Sequence, residues 1–277
     1  MAGVLYLVGT PIGNLEDMTY RAVRILREAN IIACEDTRRT RGLLSHFGIA
    51  GKKLISCHEH NEDARAAELV KRVEAGEKVA LVSDAGMPAV SDPGYRVVRA
   101  MAEAGLRVEP IPGPSAAIAA VAASGLPTDA FRFCSFLPAK ASQRRKALAA
   151  LAEETATLVF YEAPHRIRQA LADLEELFGD RPIAIARELT KLHEEILRGT
   201  PASLGTLIDE RGGLKGELVL LVSGAREKQP AIEIPLEERV ADLTAAGASR
   251  MDAIKQAARE RGLGKREVYE QLERLKP

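Results

Sequence analysis

Three stretches of the 277-residue chain combine glycine, proline and short polar side chains in patterns that suit contact with a ligand. The first, Gly9-Thr-Pro-Ile-Gly-Asn14, offers backbone that turns tightly and lets a ligand approach closely, because glycine carries no Cβ; an ordinary tight strand-to-helix turn has the same look. The second runs Ser83-Asp-Ala-Gly-Met-Pro-Ala-Val-Ser-Asp-Pro-Gly94. Its small residues leave a hollow, and its carboxylates and bare backbone groups suit a polar, partly cationic ligand. Asp92, followed by Pro-Gly, is expected to cap a helix beginning near Gly94, whereas Asp84 has no such structural duty. The third, Ile111-Pro-Gly-Pro-Ser-Ala-Ala117, sets Ser115 at a helix start, as a cap or beside N–H groups free to hold a carboxylate. No G-x-G-x-x-G or G-x-x-x-x-G-K spacing is present, so these loops are not built to grip phosphates.

Basic residues gather in two places. Lys140-Ala-Ser-Gln-Arg-Arg-Lys146 holds four cations and no acid, and Arg38, Arg39 and Arg41 follow a strand end. Lys140, Arg144, Arg145, Arg38 and Arg39 are candidates to track a nucleic-acid backbone; solvated helix surface is the alternative. His58 and His60, at H-x-H spacing, have no second cluster to complete a metal site, so no metal is expected. His165 and His193 sit beside strand ends as loop histidines or proton carriers. No Ser-His-Asp or Cys-His set is legible.

The elements that must position these loops alternate in type. Val4–Val8, Ile31–Cys34, Lys53–Cys57, Lys78–Val82 and Arg107–Ile111 read as strands, interleaved with helices over Met18–Glu28, Thr40–Phe47, Asp63–Glu74 and Gly94–Ala104. Crossovers of that length predict parallel pairing, and ligands of such sheets collect in loops after the strands, which is where the three stretches fall. A small-residue helix over Pro114–Ala123 follows a turn-rich seam; it serves an interface or, by preference, the core. Strands at Phe131–Phe136, Thr157–Tyr161, Ile183–Arg187 and Glu217–Val222, with helices near Arg144–Ala152 and Arg166–Phe178, predict a second α/β unit. Gly224–Ile234 lacks any period and reads as a linker. Leu236–Leu275 reads as a two- or three-helix tail broken at Gly247 and at Gly262-Leu-Gly264. The expected division is an N-terminal α/β domain over 1–116, a C-terminal α/β domain over 117–226, and a linker with a small helical tail over 227–277.

Bulk composition bounds the function. Apolar residues make up 46% and charged residues 28% of the chain, the mix of an ordinary globular protein with no run long enough to span a bilayer. The start moves straight into a strand without a secretory pattern, and the three cysteines, Cys34, Cys57 and Cys134, form no C-x-x-C pair, so a cytoplasmic location without disulfides is expected. With zero formal net charge and no tryptophan, any nucleic-acid role rests on local clusters and not on a basic coat or aromatic platforms. The tail from Ser249 to Pro277 carries eight basic and five acidic residues, a modest positive excess that permits RNA contact.

Taken in order, Leu5-Tyr-Leu-Val-Gly-Thr-Pro-Ile-Gly-Asn-Leu-Glu-Asp17, Cys34-Glu-Asp-Thr-Arg38, Val82-Ser-Asp-Ala-Gly-Met-Pro88, Pro112-Gly-Pro-Ser-Ala116, Phe160-Tyr-Glu-Ala-Pro-His-Arg166 and Ala186-Arg-Glu-Leu-Thr-Lys191 resemble the tetrapyrrole-methylase superfamily. Within it, they are most similar to the small-subunit ribosomal RNA (cytidine-2′-O-)-methyltransferase family. The likeness spans nearly the whole chain, helical tail included. It implies an α/β fold of two tetrapyrrole-methylase-type domains with a cofactor cleft between them, plus a small C-terminal helical domain. S-adenosyl-L-methionine would lie folded in that cleft: Pro11 bordering it, Asp84, Ala85 and Gly86 holding the methionine part, Ser115 and Ala116 opposite, and Phe136, Glu162, Ala163 and Gly216 near the adenosine. A sulfonium with an amino-acid end needs no phosphate loop, in keeping with the missing fingerprints. The implied partners are small-subunit (16S) ribosomal RNA within the assembled 30S particle and a second copy of the chain, with no membrane.

The implied reaction is in-line methyl transfer to a ribose 2′-oxygen, for which alignment and exclusion of water are the main tasks. Glu35, Asp36, Asp84 and Glu162 are conceivable bases for the weakly acidic hydroxyl, and the sequence does not choose among them. A tetrapyrrole (precorrin-type) small-molecule methylase and a non-enzymatic ribosome-binding factor are the competing readings, since fold does not fix substrate.

Overall fold

The computed structural model describes residues 3–225, 235–260 and 263–274. Its first sheet is built from β1 (Val4–Val8), β2 (Ile31–Cys34), β3 (Lys53–Ser56), β4 (Lys78–Val82) and β5 (Val108–Ile111), all parallel in the order β3-β2-β4-β1-β5. The crossovers are α1 (Tyr20–Glu28), α2 (Thr37–His46), α3 (Glu62–Glu74) and α4 (Tyr95–Glu103). Successive side chains of a strand point to opposite faces, and the inner strands are apolar throughout because both faces are covered. Val4, Tyr6, Val8, Ile32, Ala80 and Val82 pack on α1 and α2, while Leu5, Ile31, Ala33, Val79 and Leu81 pack on α3 and α4.

The second sheet follows α5 (Ala116–Ser124) and comprises β6 (Phe131–Phe136), β7 (Thr157–Glu162), β8 (Ile183–Arg187), β9 (Glu195–Gly199) and β10 (Leu218–Val222), in the order β6-β7-β10-β8-β9. Its helices are α6 (Ala141–Ala149), α7 (Ile167–Phe178) and α8 (Pro201–Glu210). Only β6 and β7 pair in parallel; the other pairs are antiparallel, as the short hairpin from β8 to β9 requires. One face packs Leu148, Leu171, Leu174, Leu204 and Ile208 of α6, α7 and α8; the other packs Ala117, Ala120 and Val121 of α5 against Val159, Ala184, Ala186, Val219 and Leu221. The small-residue helix is thus a core element, its alanines allowing close approach to the strands.

Several boundaries move for identifiable reasons. The second helix starts at Thr37 because Asp36 caps it, accepting from the Arg38 N–H at 2.8 Å. The helix expected near Arg144 starts at Ala141, which puts Arg144 and Arg145 in mid-helix. Asp92 does not cap α4: Gly94 is the N-cap residue, and the buried Glu62 carboxylate, reaching over from α3, accepts from the Gly94 and Arg96 N–H groups at 2.9 and 2.7 Å. β9 and α8 were not anticipated. β9 is a short, half-polar edge strand, while α8 opens on a Thr200–Ser203 capping box with Pro201 in its first turn.

The chain divides into two compact units, Met1–Ala225 and Arg226–Pro277, so both sheets belong to one unit; the expected 116/117 boundary falls where α5 begins. The second unit contains α9 (Leu236–Ala245), α10 (Arg250–Glu260) and α11 (Lys265–Arg274), packed around Leu236, Val240, Ile254, Ala257, Val268 and Leu272. Residues 226–234 of the expected linker, along with Gly262 and Leu275 of the tail, lie outside the described residues. No described helix is long and apolar enough to cross a membrane.

Candidate active site

The loop after β1 and the loop after β4 are stitched by an antiparallel bridge: Thr10 N–H donates to Gly86 O at 2.9 Å, and Gly86 N–H to Thr10 O at 3.0 Å. Gly86 sits at φ +86, in the left-handed region that favours glycine. The loop after β5 comes backbone to backbone with the first: a Cβ on Gly9 would lie 2.7 Å from the Gly113 Cα. The three glycine-rich stretches therefore form one continuous rim at the carboxyl ends of the parallel strands, the place where such sheets collect ligands.

The second sheet closes the other side. A cavity of ≈ 410 Å³ opens between the halves, lined from the first by Ile12, Ala85, Gly86, Met87, Val90, Ser91, Asp92, Ser115 and Ala116, and from the second by Phe136, Tyr161, Glu162, Ala163, Pro164, Ala186, Leu189 and Gly216 to Val219. Ser91 and Ser135, both non-glycines with positive φ (61 and 57), meet across its edge, the Ser91 hydroxyl donating to the Ser135 hydroxyl at 2.9 Å. Backbone held there costs about 1–3 kcal/mol per residue, so this contact belongs to a loop shaped for position.

Of the residues assigned to the cofactor from the sequence, Ala85, Gly86, Ser115, Ala116, Phe136, Glu162, Ala163 and Gly216 line this cavity. Ser115 also caps α5, accepting weakly from the Ile118 N–H at 3.5 Å. Pro11 and Asp84 line instead an adjoining hollow of ≈ 390 Å³, which shares Ile12, Ala85 and Glu217 with the cavity. Asp84 accepts there from the Asp36 N–H at 3.1 Å and pairs with Arg39 at 3.4 Å. Lys191, within a quoted motif but given no role from the sequence, lines the same hollow and bridges Glu188 and Glu217 at 3.0 Å each.

The two spaces differ in charge. Three carboxylates line the cavity, Asp92, Glu162 and Glu217, and no Lys, Arg or His is among its described lining residues; Arg39 and Lys191 enter only in the hollow. Glu162 is buried. One of its oxygens accepts from the Ala163 N–H at 2.8 Å and from Arg166, with Nε at 2.8 Å and Nη2 at 2.6 Å, while the other, Oε2, has no partner. A buried carboxylate oxygen without a partner is costly, and on a cavity wall a ligand's donor satisfies it. Asp92 was absent from the sequence assignment. Burial, reinforced by the negative charge of Glu35, pushes its carboxyl up to about 6. Its place in the cavity could have been inferred only by seeing that Glu62 already caps α4.

Among the conceivable bases, Asp36 is held at about 2 by the Arg38 side chain, and Glu162 forms an ion pair with Arg166. Desolvation, then Asp84, raises Glu35. The basic candidates also separate. Arg38 pairs with Asp36 and Arg39 with Asp84, both arginines well exposed, and Lys140 is exposed. Arg145 pairs with Glu176 and, at 3.8 Å, with Asp173. Arg144 is a correction: its side chain is 3% exposed, bonded to Asp173 at 2.6 Å and to the Ala139 carbonyl at 3.4 Å. It is a structural ion pair, closed to RNA.

The chain matches the family described as Tetrapyrrole (Corrin/Porphyrin) Methylases over residues 4–205. It is 48% identical over 272 residues to Ribosomal RNA small subunit methyltransferase I of Halalkalibacterium halodurans, covering 96% of this chain and 93% of that protein. It is 41% identical over 274 residues to the protein of that name from Bacillus subtilis, covering 97% and 93%. Among solved structures, uroporphyrin-III-C-methyltransferase from Thermus thermophilus superposes with a TM-score of 0.56 at 26% identity, covering 80% of this chain and 94% of that one. A further structure of the Thermus enzyme, complexed with S-adenyl homocysteine, shares the fold with a TM-score of 0.52 at 20% identity, covering 80% and 92%. The loops, the cavity between two α/β sheets and these likenesses agree: the chain belongs to the tetrapyrrole (corrin/porphyrin) methylase family, in the group of the ribosomal RNA small subunit methyltransferase I proteins.

Proposed function

We propose that the chain transfers a methyl group from S-adenosyl-L-methionine to the ribose 2′-hydroxyl of a cytidine in 16S ribosomal RNA of the small subunit. The observation that carries the cofactor's place is the cavity wall: among its described lining residues the charged side chains are all carboxylates, one of them with a buried unpartnered oxygen, and no phosphate-gripping loop is among them. Such a wall suits a ligand that carries a sulfonium and an ammonium and rejects nucleotides with phosphates. Ala85, Gly86, Ser115 and Ala116 would hold its methionine part, with Phe136, Glu162, Ala163 and Gly216 around the adenosine; Pro11 and Asp84 would act from the hollow. When bound, the cofactor supplies an activated methyl on a good neutral leaving group.

The acceptor enters from the adjoining hollow, where Arg39 and Lys191 are the first cations beyond the acidic cavity. Arg38, Lys140 and Arg145 extend the basic surface on which RNA phosphates are positioned. The near-full-length identity to the ribosomal RNA enzymes supports RNA over a tetrapyrrole as acceptor. We place the reaction in the cytoplasm, on the assembled 30S particle, with the enzyme as a homodimer. Incubating small-subunit particles that lack the modification with tritiated cofactor should give label recoverable as 2′-O-methylcytidine. Label confined to a base overturns the ribose assignment, and label in precorrin-type compounds but not in particles overturns the RNA one.

A further inference from the structure

A hydroxyl that receives a methyl group must lose its proton, and the cavity holds one carboxylate that no ion pair engages. Glu162 is tied to Arg166 and Glu217 to Lys191; among the described residues Asp92 has no salt-bridge partner. It lines the cofactor cavity on the loop that follows β4, and the start of the same loop, Ser83 to Ala85, lines the adjoining hollow. Asp92 thus stands on the cavity side of a loop that runs from one space into the other, with Ala85 lining both. The charged and titratable groups that act on it electrostatically are Glu35 from the end of β2, Asp84 from the end of β4 and, in the same cavity, Tyr161 of β7. None is cationic. The strained loop that carries it is pinned on one side by the Ser91–Ser135 contact and on the other by Glu62 at the start of α4.

We propose that Asp92 is the proton acceptor for the hydroxyl methylated in this site, an inference that rests on the ribose reading above. In the step, the hydroxyl oxygen forms the new bond to the methyl carbon as the carbon–sulfur bond breaks. That bond's electron pair stays on sulfur, giving a neutral thioether, and the hydroxyl proton passes to Asp92 and then to solvent. Burial and the neighbouring acids hold the Asp92 carboxyl at about 6, so it is mostly ionised at neutral pH while binding a proton more firmly than an exposed carboxylate, as a general base requires.

The test uses the full chain with unmethylated small-subunit particles under single-turnover conditions across the acid-to-neutral range. Wild-type methyl transfer should fall as pH drops through about 6. Asp92→Asn, assayed at saturating S-adenosylmethionine, should slow transfer by about 100-fold or more and abolish that inflection, a loss much larger than the weakening of cofactor affinity, read by calorimetry, that removing one cavity charge brings. Asp92→Glu should restore part of the rate with a displaced inflection. The assignment is overturned if Asp92→Asn keeps the wild-type rate and inflection, or if it loses cofactor affinity in proportion to rate. Nucleoside analysis of the wild-type product separates the two levels: label on a base overturns the ribose reading, whereas ribose label with an unimpaired Asp92→Asn overturns only the role of Asp92.

Discussion

Arg144 and Arg145 are neighbours in a basic run, yet one is sealed inside the fold and the other stands at its surface. The sequence shows a cluster of cations; which of them faces the core depends on where α6 begins, three residues before Arg144, and on Asp173 of α7, which lies far along the chain. Removing one partner of a buried pair strands the other, so Arg144→Ala should lower unfolding free energy by about 3–5 kcal/mol. Arg145→Ala, at an exposed pair, should cost less than about 1 kcal/mol. Urea unfolding of the two variants checks this, and equal costs would show that the Asp173 pair is not the anchor. Asp92 gives a second residue-scale expectation, independent of catalysis. Its folded value of about 6 exceeds the ordinary 3.8, so folding binds a proton there. That contribution is full below 3.8 and is lost as pH rises through about 6, above which burying the charge opposes folding. Asp92→Asn should therefore raise the melting temperature relative to wild type above that pH, with the advantage fading as the solution is acidified toward 3.8. An advantage that persists undiminished in acid would sink this account.

At the level of elements, strand-helix alternation was legible because inner parallel strands must be apolar on both faces and their crossovers must be long. The loops that carry Ala85, Gly86 and Ser115 were legible for a related reason, since loops after parallel strands meet at one edge whatever the details of packing, whereas those residues were singled out for the cofactor by the family resemblance. What escaped was decided by contacts between distant segments. β9 alternates half-polar residues at a sheet edge, too short and mixed to stand out, and the antiparallel arrangement of the second sheet depends on it. The start of α4 looked like the work of Asp92 because capping is read from neighbours in sequence, whereas Glu62 does it from α3. Glu62→Ala leaves the Gly94 and Arg96 N–H groups without their acceptor in a buried place, for a loss of about 1–2 kcal/mol. The same change frees one end of the loop that carries Asp92. Thermal unfolding and cofactor titration together should show lower stability and weaker binding; if stability falls while affinity holds, Glu62 supports the helix alone.

The whole molecule is neutral overall, and its function depends on how that neutrality is partitioned. Carboxylates line the cavity, and basic side chains begin in the hollow next to it, an arrangement that net charge conceals. Each phosphate neutralised by a side chain adds to the salt dependence of RNA binding, by roughly 0.7 in logarithmic slope for a single strand. The unit that ends at Ala225 contains every residue lining the cavity and the hollow. Its end is tied in as well, with Ala225 N–H donating to Glu154 O at 2.6 Å and Gly224 packed against Thr155. The helical tail has its own core, and the stretch from Ser249 to Pro277 within it carries eight basic and five acidic residues. A chain truncated after Ala225 should therefore keep its affinity for S-adenosylmethionine within about threefold, while its affinity for small-subunit particles weakens and the salt slope shallows by one or more phosphate contacts. Calorimetry and filter binding over a salt series measure the two independently. Loss of cofactor binding on truncation would mean that the tail completes the cavity, and an unchanged salt slope would mean that its cations never meet the RNA.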